Sequence, residues 1–302
     1  MNNEDNFEQE AESALGDLMS DAEDAPTMAF AMELYKLDQA GVTDIGRRRT
    51  HNEDYFGIQQ RVFKEESPQG VTMDARGLYI VCDGMGGHSA GEVASTMAVE
   101  LLQQYFEEHW KDSLPDEETI REGILLANQK IHEINQDKSR SGAGRMGTTL
   151  VMALVHNTEV AIAHVGDSRI YQVSRYGDIT QLTIDHEVGQ REIAKGMSPE
   201  EAYNLKNAYQ LTQALGPRKN SQVNPDIQYL EIQEDSLLLL CTDGLSDGSL
   251  LEDQGETYLT PLFKSKANLE KGLLELIDFA NQQHGHDNIT GVVVRFNLRP
   301  SS

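Results

Sequence analysis

Thr148-Thr149-Leu150-Val151-Met152-Ala153-Leu154-Val155, then His156-Asn157-Thr158, then Glu159-Val160-Ala161-Ile162-Ala163-His164-Val165, is the stretch that decides the fold. Each apolar run has strand length, and Asn157-Thr158 between them is turn chemistry. Strands joined by so short a turn pair antiparallel. The grouping recurs elsewhere. A helical period covers Ala90–His109, with Val93, Met97, Leu101 and Tyr105 as the expected apolar stripe. A second follows through Ile120, Ile124, Ala127, Ile131 and Ile134. Leu78–Asp83 and Leu237–Thr242 read as buried strands, Leu269–Asn281 as a helix and Ile289–Phe296 as a last β-branched strand. Strands arrive in pairs and so do helices. That argues against the strict alternation of a doubly wound fold and predicts a layered α+β arrangement, with helices covering antiparallel sheets.

The chain has 302 residues, 38% of them hydrophobic, enough for a core that excludes water. Its net charge of −25 repels nucleic acid and anionic lipid and favours cations or basic protein partners. No apolar stretch reaches the roughly 18 residues needed to span a membrane. The start, Met1-Asn2-Asn3-Glu4-Asp5-Asn6, lacks the basic and apolar segments of a secretory signal. A cytoplasmic protein that binds neither nucleic acid nor membrane is expected. Cys82 and Cys241 have no zinc-type spacing and read as small buried strand residues, with redox sensitivity as the sharper alternative. The first 25 residues hold nine acids and no Lys or Arg. Residues 1–34 are therefore expected to form an acidic, unstructured extension. Phe7, Ala11, Leu15 and Leu18 also have the spacing of a short docking helix. Residues 35–302 are expected to form one domain.

The chemistry stands at strand ends. Asp83-Gly84 follows Leu78-Tyr79-Ile80-Val81-Cys82, and Asp243-Gly244 follows a run of leucines. Asp167 sits in Val165-Gly166-Asp167-Ser168-Arg169, and Asp287-Asn288 precedes Ile289. Carboxylates brought together repel and raise one another's pKa, a conflict that a divalent cation removes. Such hard oxygen ligands suit Mn²⁺ or Mg²⁺. Any one Asp-Gly is ordinary turn chemistry; the combination is the signal. An anion handle precedes them in Arg47-Arg48-Arg49, followed by Glu53-Asp54, which would meet metal-held water or fix the arginine.

These residues resemble the metal-dependent protein phosphatases of the PP2C (PPM) class in their bacterial form. The matching segments run in family order. They begin with Asp44-x-Gly46-x-x-Arg49-x-x-Asn52-Glu53-Asp54 and Asp83-Gly84-Met85-Gly86-Gly87-His88. Gly147-Thr148-Thr149, Gly166-Asp167-Ser168-Arg169 and Leu182-Thr183-x-Asp185-His186 follow. Ala214-Leu215-Gly216, Thr242-Asp243-Gly244-Leu245 and Asp287-Asn288-Ile289-Thr290 complete the set. The resemblance implies a four-layer α/β/β/α sandwich. It implies that Asp83 bridges two cations, with the Gly84 carbonyl on the first and Asp243 and Asp287 on the second. Glu53 and Asp54 would act through metal-held water, and Asp167 with Asp243 would hold a weaker third cation. Arg49 would bind the substrate phosphate, and His88 would protonate the leaving oxygen. Arg47 and Arg48 have no family role and read as surface charge. The implied reaction is hydrolysis of phosphoserine or phosphothreonine by a hydroxide bridging the cations, without a covalent intermediate. The implied partners are phosphoprotein substrates of a bacterial-type Ser/Thr kinase, met by a monomer. Two other readings are a non-catalytic phosphoprotein-binding module and a phosphatase of small phosphate esters. The stretch between Asp185 and Leu215 resembles the family's flap, with Ser198-Pro199-Glu200-Glu201 as a helix start. It lacks the His-Pro pair common in bacterial relatives, which leaves substrate choice open.

Overall fold

Alternation along the central strands builds the layers. In β3 (Gly70–Met85) Leu78, Ile80 and Cys82 face one core, while Tyr79 and Val81 face another. β5 (Leu150–His156) repeats the pattern, with Leu150, Met152 and Leu154 on one side and Val151, Ala153 and Val155 on the other. Successive side chains leave a strand on opposite faces, so a continuous apolar run must be covered on both. In β10 (Ser236–Cys241) Leu238 and Leu240 meet the shared inner core, and Leu237, Leu239 and Cys241 face outward. β11 (Ile289–Pro300) does the same with Val292, Val294 and Phe296 inside.

The computed structural model describes residues 31–67, 70–86, 90–137 and 145–301. The acidic extension and its helix-like spacing lie outside these residues, apart from its last four, and so does His88. β1 (Met32–Asp44) takes in Met32 to Leu34, which composition had assigned to the extension. The first sheet runs β1-β11-β10-β7-β8, where β7 is Arg169–Ser174 and β8 is Ile179–Gln181. The second runs β2-β3-β5-β6-β9, where β2 is Asp54–Ser67, β6 is Glu159–Val165 and β9 is Asp226–Glu231. β4 (Gly147–Thr148) pairs with the end of β3. Every pairing is antiparallel. The expected 148–165 hairpin is present as β5 and β6, turning at Asn157, whose φ of 56° is one that asparagine tolerates.

Helices α1 (Ala90–His109) and α2 (Glu117–Asp137) cover the second sheet. α6 (Leu250–Leu259) and α7 (Leu269–Gln283) cover the first. The layers are thus helix, sheet, sheet, helix, as expected. One face differs from the sequence reading. Val93 of α1 is exposed, and Gly91, Ala94, Ser95, Ala98 and Leu102 meet the sheet. These small side chains let the helix approach closely; of the expected stripe only Val93 leaves the core, while Tyr105 is buried in it and Met97 and Leu101 pack against it. The short helices α3 (Val188–Ala194) and α4 (Pro199–Tyr203) order the flap segment. α4 begins at the expected place, with Ser198 and Glu201 forming a reciprocal capping box.

Candidate active site

The two sheets bring their strand ends together at one edge of the sandwich. Asp54 opens β2 directly opposite Asp83 near the end of β3. β10 ends at Cys241, and the chain turns through Thr242 into α5 (Asp243–Ser246). β11 begins at Ile289, just after Asp287 and Asn288. Asp83 thus meets Asp243 and Asp287 across the sandwich.

Their electrostatics show how close they are. Burial pushes Asp83 well above the ordinary carboxylate pKa, and the charges of Asp243, Asp54, Asp167 and Asp287 push it further. Asp54 is raised to about 7 by burial and by Asp243 and Asp287, against the pull of hydrogen bonds from Thr290 and Thr242. Asp243 is raised to about 6 by burial and the charges of Asp247 and Asp287. Burial, then Asp243, Glu187 and Asp185, raise Asp167 to about 8. Glu53 is raised by burial.

Threonine and asparagine side chains fix these groups. Thr242 donates to Asp54 Oδ2 at 2.9 Å and accepts from the Thr290 amide at 3.0 Å. The Thr43 and Thr290 hydroxyls meet at 2.7 Å, and Asn52 donates to Thr43. The Asp83 carbonyl accepts from the Thr149 amide and the Thr148 hydroxyl. Asn288 donates to the carbonyls of Ile45 and His51 and accepts from the Glu53 amide, clamping the arginine-bearing loop onto β11. Gly46 makes that approach possible. Its φ is +80°, and a Cβ there would lie 2.0 Å from the Asp287 carbonyl oxygen. Gly84 is held by its amide on the Glu53 carbonyl, and a Cβ there would strike the Gly91 carbonyl at 2.2 Å.

Arg49 is 46% exposed at this edge, and its Nη2 donates to Asp287 Oδ2 at 2.5 Å. Burial lowers its pKa, but the bond and charge of Asp287, then Asp83 and Glu53, carry it above the usual value. Asp287, rather than Glu53 or Asp54, hydrogen-bonds the guanidinium. A cleft of about 610 Å³ opens beside Asp167 and Asp243, with Glu187, Tyr203 and Tyr209 of the flap on its wall. Both cysteines are buried and unpaired. Burial pushes both thiols up, Cys241 to about 12, which disfavours the thiolate form.

The residues present fit divalent cations. Asp243 Oδ1 and Glu53 Oε1 are buried without a hydrogen-bond partner among the described residues, which suits oxygens that ligate a cation. The mutual repulsion of the buried carboxylates is what a cation relieves. Among the described residues, the one group of three metal-type side chains with ligand atoms within 4.8 Å of one another lies elsewhere, at His164, His186 and Asp226. Its hydrogen bonds count against a cation there. His186 Nδ1 accepts from the Gly166 amide, which leaves its Nε2 to donate to Asp226 at 3.1 Å. His164 Nε2 donates to the Ile184 carbonyl at 2.8 Å. Neither Nε2 has a lone pair to offer. The rings stack at 4.6 Å and tie the flap root to β6 and β9.

A double antiparallel sandwich that gathers acids and one guanidinium at one edge defines a metal-assisted phosphohydrolase. Comparison with known proteins makes the class specific. Residues 49–277 match the family model for protein phosphatase 2C. A serine/threonine phosphatase stp of Listeria welshimeri is 36% identical over 85% of this chain and 94% of its own length. Protein phosphatase PhpP of Streptococcus pneumoniae is 33% identical over 85% of this chain and 96% of its own. The crystal structure of the catalytic domain of the serine threonine protein phosphatase PstP, with two manganese ions, has a TM-score of 0.63 and 28% identity. It covers 88% of this chain, and 99% of that domain is matched. The chain belongs to the protein phosphatase 2C family.

Proposed function

We propose that this chain removes phosphate from serine and threonine side chains of proteins, using two Mn²⁺ or Mg²⁺ ions held at the strand-end carboxylates. The observation that carries the reading is the convergence of buried, mutually repelling Asp54, Asp83, Asp243 and Asp287 beside one exposed guanidinium. Asp83 and the Gly84 carbonyl would hold the first ion, and Asp83, Asp243 and Asp287 the second. Asp167 with Asp243 would hold a weaker third. When bound, the ions supply a water activated at neutral pH and positive charge for the phosphoryl oxygens.

The chain's own residues do the rest. Arg49 spends one N–H on Asp287 and has further donors to receive a phosphoryl group in its planar fork. That positive charge is worth most where negative charge builds up in the transition state. Asp54, fixed by Thr242, and Glu53 orient the attacking water. His88, two residues beyond Gly86, is our candidate to protonate the leaving oxygen. Tyr203, Tyr209 and Glu187 face the cleft where the residues flanking the phosphorylated side chain would lie. The expected physiological substrates are phosphoproteins made by a Ser/Thr kinase, met by a monomeric enzyme in the cytoplasm.

The test is turnover of a phosphothreonine peptide with Mn²⁺, with Mg²⁺ and with chelator. Cation-dependent release of phosphate is expected. Turnover unaffected by chelation would sink the reading. p-Nitrophenyl phosphate turnover without peptide turnover would favour a small-ester phosphatase instead.

A further inference from the structure

The cleft beside Asp167 and Asp243 contains a buried carboxylate that meets no positive charge among the described residues. The acids lining the cleft are Asp167, Asp185, Glu187, Asp243, Asp247 and Glu252. Asp167 and Asp243 are the pair proposed to hold a cation. Asp185 receives Arg169 through Nε and Nη2, and Arg169 is the one Lys or Arg among the cleft's described lining residues. Asp247 faces His286 Nε2 at 3.5 Å. Glu252 is exposed to water and accepts from the Tyr171 hydroxyl at 3.1 Å. Glu187 remains. It is only 6% exposed, yet it has no ion pair among the described residues. Its Oε2 accepts from the Tyr203 hydroxyl at 3.2 Å, and its Oε1 accepts from no described residue. Burying a carboxylate without a cation is costly. Burial, then the charge of Asp185, raise its pKa to about 7 against the pull of Tyr203 and Arg169.

The carboxylate is held in place before any ligand arrives. The Glu187 backbone forms an antiparallel bridge with Leu211. Tyr203, which fixes its side chain, in turn accepts from Gln190 Nε2 at 2.9 Å. The Tyr203 and Tyr209 rings stand 5.3 Å apart, and both line the same cleft. Tyr209 is 72% exposed, so a ring face is open to solvent beside the buried acid. Aromatic faces next to a carboxylate suit a planar organic cation. A divalent metal ion takes oxygen ligands and gains nothing from the rings. The position is also close to the reaction: the charge of Glu187 is among those that raise Asp167.

We propose that Glu187, with Tyr203 and Tyr209, receives an arginine side chain that neighbours the phosphorylated residue of the substrate, which makes the chain selective for basic phosphopeptides. The guanidinium fork donates to the carboxylate and its plane lies against the tyrosine rings. The ordered carboxylate leaves little entropy to lose on binding. The net charge of −25 draws basic peptides toward the chain from a distance, and Glu187 adds a short-range choice of position. The inference rests on the proposed protein phosphatase activity and names the substrate class for that same site.

The test is kcat/KM with Mn²⁺ for an alanine-rich phosphothreonine peptide and for variants carrying a single arginine one or two residues before or after the phosphothreonine. Arginine at one of these positions is expected to raise kcat/KM about tenfold over the alanine peptide, as a charge-assisted hydrogen bond does. This ratio is read within each protein, so that a change in basal turnover cancels. In Glu187→Gln, which keeps an acceptor for Tyr203 and removes the charge, the ratio should fall below about threefold. Tyr209→Ala, at an exposed position, should lower it as well. Glu118→Gln removes the same charge from an exposed position on α2 and should keep the parent's ratio. No arginine advantage at any position, or an equal advantage in Glu187→Gln and the parent, overturns the proposal. Calorimetry showing one Mn²⁺ fewer bound to Glu187→Gln also overturns it, by giving the carboxylate to a metal ion. Turnover of p-nitrophenyl phosphate but of none of the peptides sinks the protein phosphatase activity and this inference together. Equal turnover of the alanine and arginine peptides sinks this inference alone.

Discussion

The Arg49 guanidinium is tied to Asp287 Oδ2 at 2.5 Å, joining the anion handle to one of the strand-end carboxylates across 238 residues of sequence. The bond sets the arginine's direction and leaves other donors free. Arg49→Ala is expected to raise KM for p-nitrophenyl phosphate and a phosphothreonine peptide about 10- to 100-fold, since a charge-assisted hydrogen bond is worth about 1.5–3 kcal/mol. kcat should fall less. Arg49→Lys should recover part of the loss, because it restores charge without the fork. An unchanged KM in Arg49→Ala would remove this residue from phosphate binding.

Four other carboxylates, Asp243, Asp54, Asp167 and Asp287, raise the pKa of Asp83. Asp83→Asn should abolish tight Mn²⁺ binding, measured by calorimetry, and nearly all turnover. The cation-free variant should melt at or above the cation-free parent, because a buried carboxyl group whose ionised form its neighbours repel is gone. Asp167→Ala should keep two tight cations and lose only a weak third. A variant Asp83→Asn that still binds two cations tightly would end the bridging assignment.

How much of this was legible in the sequence depended on burial. β5, β6, β10 and β11 stand out because both their faces are covered, giving unbroken apolar runs. β1 and β2 lie at sheet edges and mix in polar residues such as Gln59, Gln60 and Arg61, so composition hid them. In α1 small residues meet the sheet, and hydropathy undervalues alanine and glycine at close approach. At the site, Asp-Gly at strand ends marked Asp83 and Asp243. The clamps were not legible. Thr242 reaches Asp54 across 188 residues and Thr43 meets Thr290 across 247, and a hydroxyl carries no periodic signal of such a partner.

Asn288 is the sharpest test of those clamps. Its side chain makes three hydrogen bonds to backbone, to Ile45, Glu53 and His51, and it is buried. Asn288→Ala strands those groups, at a cost of about 2–4 kcal/mol at roughly 1 kcal/mol per bond. Denaturant titration should show that loss. kcat/KM should fall at least tenfold even at saturating Mn²⁺, because the loop bearing Arg49 loses its anchor. Normal activity in a destabilised variant would show that the clamp serves stability alone.

The raised carboxyl pKa values give the cation-free chain a defined pH response. Asp243, Asp54 and Asp167 stand at about 6, 7 and 8, above an unfolded value of roughly 4. Between those limits the folded chain holds protons that the unfolded chain has released. Stability therefore falls as pH rises through the window, by at most about 1.4 kcal/mol per pH unit for each such group. Divalent cations bind the deprotonated carboxylates and displace those protons, so the slope should reverse when cation is saturating. Thermal unfolding in chelator from pH 5.5 to 8 should give a falling Tm. The same series with Mg²⁺ should give a flat or rising one. Asp54→Asn should flatten the chelator series, which separates the site's contribution from the general repulsion of a chain carrying −25. A chelator Tm that climbs with pH would mean that these carboxylates are ionised and relieved without any cation, and the cation-binding reading of the site would lose its electrostatic basis.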